Sequence, residues 1–508
     1  MRHKFFLLAV LIPFLAGKIS YSKGIDDDVK AGLTDIYNLK FEDANSKFKE
    51  MQRKYPTDAK GYFYESLTYY YAAVTSRDDK IFDKYLELTD NILEITDKAL
   101  DKNENDIDAL YYKGLTHSYR SLVMLNLNKS LLKAASNGND GYRILSDIVK
   151  RKPDYYDAYM GLGLYKIAIG FVPEKFQWLL SIIGFDGNIR NGLDLLKTSM
   201  EKGRFTKTEA KVYYSISAIT EKEDDNIISV NFAKQLIDEY PESPIFRVLY
   251  GGILLERGRV DESIESTSKG LELNTHSLQP EVKKGAYALL GTAYFKKNDF
   301  INSINATEEN LRYVNPEDRY NIGCYILGTA YEMTGNRSKA IESYSKARDK
   351  FIEERDGESE KLFYRLCRER IKRPLRDIDS LIILGWNDRE SGRAAESVAL
   401  FQKLLSSEYN NKFANDDDKA VLYSNTAHSY LMNKDIPKAI EYFEKTITLN
   451  PQIELWHVPH SFFELGKIYY RKGDKAKAEQ YFEKIYDYTD YDFKNFLEMR
   501  LANFKAKN

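Results

Sequence analysis

A small residue followed twelve positions later by another small residue recurs seven times in the second half of the chain. The pairs are Ser217/Ser229, Gly251/Ser263, Gly291/Ser303, Gly328/Ala340, Gly385/Ser397, Ala427/Ala439 and Gly466/Ala478. Large residues surround them, such as Leu327, Tyr331 and Tyr344 in one copy and Leu465, Tyr469 and Phe482 in another. The spacing inside each unit is constant, whereas successive units start 34 to 57 residues apart. This combination predicts two antiparallel helices that touch at the small positions, joined by outer turns that tolerate insertion. Gly258, Gly335, Gly392 and Gly473 fall where the first helix should end, which predicts left-handed C-caps. Pro241, Pro316 and Pro451 fall where the second helix should stop, because proline cannot continue a helix. Strict apolar–polar alternation is absent. The expected fold is all-α, a right-handed superhelical solenoid of helix hairpins that stack to bury faces none can shield alone.

With 508 residues the chain exceeds one ordinary core, which suits a stacked array. A hydrophobic content of 43% with 30% charged residues is globular, and a net charge of -2 gives no global attraction to nucleic acid or anionic lipid. The 39 tyrosines suit packing between helices, ring inside and hydroxyl toward the surface.

Residues 1–22 have the layout of a secretory signal peptide: basic Arg2, His3 and Lys4, then an apolar run from Phe5 to Gly17 that is too short to span a bilayer. Residues 23–209 read as a degenerate helical-repeat region with insertions. Its first unit carries Gly32, Ala44, Phe48 and Pro56. Three more have first helices at Ser66, Gly114 and Gly163 and second helices near Asn91–Leu100, Gly141–Lys150 and Gly192–Ser199, so each is lengthened between its two helices. Residues 210–492 form the main array, broken by a charged insertion at about 351–376 that contains Arg365, Arg368, Arg370, Arg373 and Arg376; it extends the preceding helix or adds one more, and reads as a solvated helix face or, in an alternative reading, a dock for an acidic partner. Residues 493–508 carry Phe493, Phe496, Leu497, Leu501 and Phe504 at helical spacing, a capping helix for the last unit.

These units resemble the tetratricopeptide repeat family, with copies at 210–243, 244–277, 284–317, 321–354, 378–411, 420–453 and 459–492. Residues 156–200, from Tyr156-Asp157-Ala158-Tyr159 through Val172-Pro173 and Gly184-Phe185 to Gly192-Leu193, are similar to a segment of the tetratricopeptide-39 and inclusion-body-clearance family and of exported bacterial repeat proteins. The resemblance implies a non-enzymatic adaptor that binds a protein or peptide partner in a groove lined by the first helices. On that register Tyr325, Thr329, Glu332, Trp386, Arg389, His428, Leu431, Phe463, Lys467 and Tyr470 face the groove. Aromatic residues and arginine are the usual anchors of such contacts.

No phosphate loop or nucleophile elbow is present, so no enzyme is expected. His457-Val-Pro-His460 lacks a third ligand and reads as a surface loop, and Asp26-Asp27-Asp28 and Asp416-Asp417-Asp418 read as helix starts, so neither metal nor cofactor is expected. Cys324 reads as a small buried hydrophobe, and its pairing with Cys367 stays open. The apolar stretch 167–185, with Phe176 and Trp178, packs locally or, in an alternative reading, makes a peripheral membrane contact. The expected role is an exported scaffold for envelope assembly, secretion or surface organisation, in the periplasm or cell envelope of a bacterium, a source suited by the Lys, Asn, Ile and Tyr bias.

Overall fold

The structure is a computed structural model that describes residues 24–127, 129–170, 187–217, 223–273, 279–315, 321–351, 357–413 and 415–507. Residues 1–22, and Phe176 and Trp178 of the apolar stretch, lie outside the described residues. Among those described the fold is all-α, with no strand. Within each of the two units described below, most helices pack on the next in sequence and in places on the next but one, the pairing of stacked hairpins.

The chain divides into two compact units, one of residues 1–253 and 266–283, the other of residues 254–265 and 284–508. The first begins with α1 (24–37), α2 (Phe41–Lys54), α3 (Ala59–Ser76), α4 (Asp79–Lys102), α5 (Ile107–Asn126) and α6 (Leu131–Arg151). It continues with α7 (Ala158–Gly170), α8 (Ile189–Lys202), α9 (Lys207–Ser217) and α10 (Glu223–Glu239). The boundary runs within α11 (Pro244–Glu256), α12 (Val260–Glu272) and α13 (Pro280–Lys296). The second unit adds α14 (Phe300–Leu311), α15 (Asn321–Met333), α16 (Arg337–Lys350), α17 (Glu358–Lys372), α18 (Asp377–Glu390) and α19 (Ala394–Leu404). After the short α20 (Ser407–Asn410) come α21 (Asp416–Met432), α22 (Ile436–Ile447), α23 (His457–Arg471), α24 (Lys475–Lys484) and α25 (Lys494–Lys507).

The small-residue signature has a direct geometric cause. Gly32, Gly291, Gly328, Gly385 and Gly466 each face the residue sixteen positions on, across the hairpin. A Cβ on Gly328 would stand 2.5 Å from Tyr344 Cε1, and one on Gly466 would stand 2.3 Å from Phe482 Cε1. Gly32 meets Phe48 and Gly385 meets Phe401 in the same way. At the second small position Ser303 donates its hydroxyl to the Gly291 carbonyl at 2.8 Å, and Ser397 to that of Gly385 at 2.7 Å, so a polar residue there is satisfied by the facing backbone. Replacing Gly466 by leucine should therefore overpack the last hairpin and cost about 3 kcal/mol, measured by denaturant unfolding. Wild-type stability in that variant would show that the two helices separate freely.

The left-handed turns also follow the sequence: Gly258, Gly335, Gly392 and Gly473 have φ of 69, 81, 79 and 87°. The lengthened units at Ser66 and Gly114 solve their insertions by growing both helices, while the insertion after Gly163 lies outside the described residues. Gly114 and Gly141 are twenty-seven residues apart, fifteen more than in a standard unit. Fifteen residues make about four turns, two on each helix, so the small faces stay aligned. A Cβ on Gly141 would stand 2.9 Å from the Gly114 carbonyl.

Tyrosines fill the first unit, but not as expected from composition. Tyr85 and Tyr111 are enclosed, hydroxyls included, with ring contacts to Tyr70 at 6.2 Å and, edge-to-face, to Tyr112 at 5.2 Å closing over them.

Candidate functional site

The charged insertion is the element that reshapes the second unit. The insertion adds one more helix, α17, and its solvated-face reading is corrected in part: Arg365 and Arg370 are paired, while Arg368 is exposed beside the Tyr364 ring. Phe363, Cys367, Arg370 and Ile371 share one face by helical spacing, and that face packs into the core built from α15 and α16. Cys367 and Cys324 are both free thiols with no exposure, and burial pushes each thiol up, Cys324 to about 12. At the C-terminal end of α17, Arg337 donates to the carbonyls of Arg370 and Ile371 at 2.5 and 3.1 Å. In the middle, Arg365 binds Glu454 at 2.7 Å and Asp492 at 2.9 Å. At the N-terminal end, Glu358 accepts the backbone N–H groups of Asn495 and Phe496, which open α25. Arg365, part of the face that read as solvated, serves as an internal tie, because its acidic partners lie 89 and 127 residues away in sequence.

Asp379, at the start of α18, collects Arg370 at 2.9 Å, Arg373 at 3.0 Å and Arg376 at 2.7 Å, and accepts the Arg376 backbone N–H at 3.0 Å. Burial alone would raise its carboxyl. The Arg376 and Arg370 partners outweigh burial and hold it well below the usual carboxylate range. The Asp416 to Asp418 run sits in the first turn of α21, where Asn415 provides the side-chain cap. There Asp417 accepts the N–H groups of Ile453 and Glu454, and Asp418 binds Arg376. Asp26 in the first unit is buried against Arg204.

The residues expected to line the groove fall into two sets. Tyr325 and Glu332 lie beneath α17. The Tyr325 ring contacts Phe363 at 5.0 Å, and Glu332 accepts from Arg337 at 2.6 Å and from the Tyr344 hydroxyl at 3.0 Å. Thr329 is buried beside the Tyr344 hydroxyl.

The second set forms a continuous row on α18, α21 and α23, the first helices of three successive hairpins. Trp386 is half-buried on α18. One turn along, Arg389 is 7% exposed and donates to Asn425 at 3.0 Å and to its neighbour Glu390 at 3.1 Å. His428 sets its ring edge-on to Phe443, half-buried, while Leu431 packs on the α22 hairpin. Lys467 binds Glu464 at 2.7 Å with its Nζ over the Phe463 ring. Phe463 is 2% exposed, closed over by Phe504 and Arg500 of α25, and Tyr470 meets Phe504 at 5.3 Å. The repeat register places all these residues on first helices correctly. The burial of Arg389, Phe463 and Thr329 comes from α17, α25 and the neighbouring repeats, which a single-repeat register does not contain.

The electrostatics of this row are unusual. Burial, then Arg389 and Lys467, push His428 down to about 3. Burial, Arg389 and Arg365 push His457 down to about 4 against the pull of Glu454, and burial with Arg500 takes His460 to about 3. Glu464 is lowered to about 2, because Lys467 and Arg500 overcome its burial. The surface-loop reading of His457-Val-Pro-His460 is thus corrected: both histidines sit in the first turn of α23, His457 stacks on Trp456 at 3.8 Å, and Phe493 of the following segment covers Trp456. The ring cover from Phe493 had no local sign. Among the described residues no group of three or more His, Cys, Asp or Glu is placed to hold a metal.

Residues 157–319 match the family model described as Iml2/Tetratricopeptide repeat protein 39, and residues 459–489 match the model described as Tetratricopeptide repeat. The segment at 156–200 and the last unit at 459–492, singled out from the sequence, fall in these two matches. The chain carries tetratricopeptide repeats, which suit it to a protein-interaction scaffold. No curated protein matches it. Among solved structures, a tetratricopeptide repeat protein from Parabacteroides merdae is 18% identical over 58% of this chain and 98% of its own, with a TM-score of 0.26. Yeast Tom70 is 12% identical over 91% and 99%, with a TM-score of 0.31. The apo form of the quorum sensor NprR from B. thuringiensis is 12% identical over 84% and 99%, with a TM-score of 0.33.

Proposed function

We propose that this chain is an exported, non-enzymatic scaffold that holds a protein or peptide partner on the inner row of its second unit, in cell-envelope assembly, secretion or surface organisation. One observation carries the reading: Trp386, His428, Lys467 and Tyr470 stand on the first helices of three consecutive hairpins, each only partly buried. Arg389 and Phe463 lie fixed behind them. A row of rings and cations held by buried partners loses little side-chain entropy on binding, which favours affinity. Tyr325 and Glu332 act in this reading as supports of α17 and not as contacts. Export rests on the basic and apolar layout of residues 1–22.

Trp386→Ala should weaken capture of a native partner from envelope extract at least tenfold while leaving the helical circular dichroism unchanged. Recovery of the same proteins in the same amounts by both forms would remove the inner row from the binding surface.

A further inference from the structure

The first unit contains a buried carboxylate of a different kind. Six acidic side chains among the described residues are buried: Asp26, Glu65, Asp157, Glu209, Asp379 and Glu464. Five have a cation or peptide N–H groups as partners. Asp26 has Arg204, Glu65 has Lys49 at 3.7 Å, and Asp379 and Glu464 have the arginines and lysine described above. Asp157 accepts the backbone N–H groups of Arg204, Phe205 and Thr206 at 2.7, 3.0 and 3.2 Å. Glu209 has only phenols around it: Tyr71 donates to it at 2.8 Å, and the buried Tyr119 hydroxyl lies nearby without a hydrogen-bond partner of its own.

The surroundings of Glu209 suit a positive guest. Helices α1, α3, α5 and α9 are first helices of their hairpins and send tyrosines to one place. Tyr37 is fully buried beside the carboxylate, and its hydroxyl has no hydrogen-bond partner. The Tyr70 and Tyr213 hydroxyls lie 3.5 Å apart, and Tyr70 also accepts from Asn126. Ring faces and phenol oxygens both attract cations, and a carboxylate among them adds the full charge that a buried site needs for compensation. Tyr71 and Tyr213 are partly exposed, so the nest reaches solvent along α3 and α9. Burial raises the Glu209 carboxyl, a penalty that an arriving cation would relieve.

We propose that Glu209 and the tyrosines around it form a binding site for an alkylammonium or guanidinium head group, supplied by a basic side chain of a partner or by a free amine. The site lies in the first unit and does not rest on the inner row of the second. Isothermal titration of the full chain with butylammonium, butylguanidinium and an acetylated lysine-containing pentapeptide tests it, with 1-butanol as the neutral control. The expected result is saturable binding of at least one cation, none of butanol, and a loss of tenfold or more in Glu209→Gln. Peptide binding ten times tighter than butylammonium would assign the head group to a partner side chain, and equal binding would assign it to a free amine. Tyr71→Phe, which keeps the carboxylate and removes one donor, covers the case in which Glu209→Gln fails to fold, and it should weaken binding severalfold. Absence of saturable binding by every cation, or equal binding by Glu209→Gln with unchanged circular dichroism, would overturn the proposal.

Discussion

Asp379→Ala should destabilise the second unit by about 3–5 kcal/mol, the cost of stranding one member of a buried ion pair. The magnitude follows from where the three arginines would go. Arg373 and Arg376 have side chains 45% and 40% exposed and can return to water. Arg370 is 8% exposed, near Tyr325, so it would be left charged and buried. The same substitution removes the acceptor for the Arg376 backbone N–H at the start of α18, a further loss of about 1 kcal/mol. Guanidinium unfolding followed by circular dichroism measures the sum. Asp379→Asn, which keeps the shape and an acceptor for the N–H, should recover part of it. A loss under 1 kcal/mol for the alanine variant would mean that α17 is not anchored through this carboxylate.

The second unit should also unfold in mildly acidic solution, before its carboxylates titrate. His428, His457 and His460 have folded values of about 3, 4 and 3, against about 6.5 in an open chain. Because the folded values are lower, the unfolded chain takes up protons first as the pH falls below about 6.5. The stability is intact above that pH and drains away down to the folded values. Each histidine contributes up to roughly 1.4 kcal/mol per pH unit in this window, and the three together roughly 4 kcal/mol per unit. A domain held by about 5 kcal/mol, the low end of the usual range, should then open near pH 5. Glu464, lowered to about 2, adds its own loss only below the ordinary carboxylate range. Trp386 and Trp456 report the transition by fluorescence, and His428→Phe should shift its midpoint to lower pH. An unchanged spectrum down to pH 4.5 would show that the histidines take up protons within the fold.

The helix pairs were legible because their cause is local. Gly466 must be small for Phe482 to cross it, and Gly473 must take a positive φ for the chain to reverse, so each requirement leaves its mark within about twenty residues. The lengthened hairpins at Gly114/Gly141 obey the same rule at a longer spacing. The functional surfaces were legible only in part. Repeat register assigned Trp386, Arg389, His428 and Lys467 to first helices, but not what would lie over them.

The sequence by itself determined the hairpins, their turns and the order in which they stack, since contacts between neighbours along the chain require only a short repeating pattern. The tertiary structure alone decided that α17 turns Arg365 inward to Glu454 and Asp492, that Phe493 and Phe504 close over α23, and that four separate helices gather their tyrosines around Glu209. Partners at that distance carry no periodicity, and a charge is read as solvated or buried only when the residue opposite it is known.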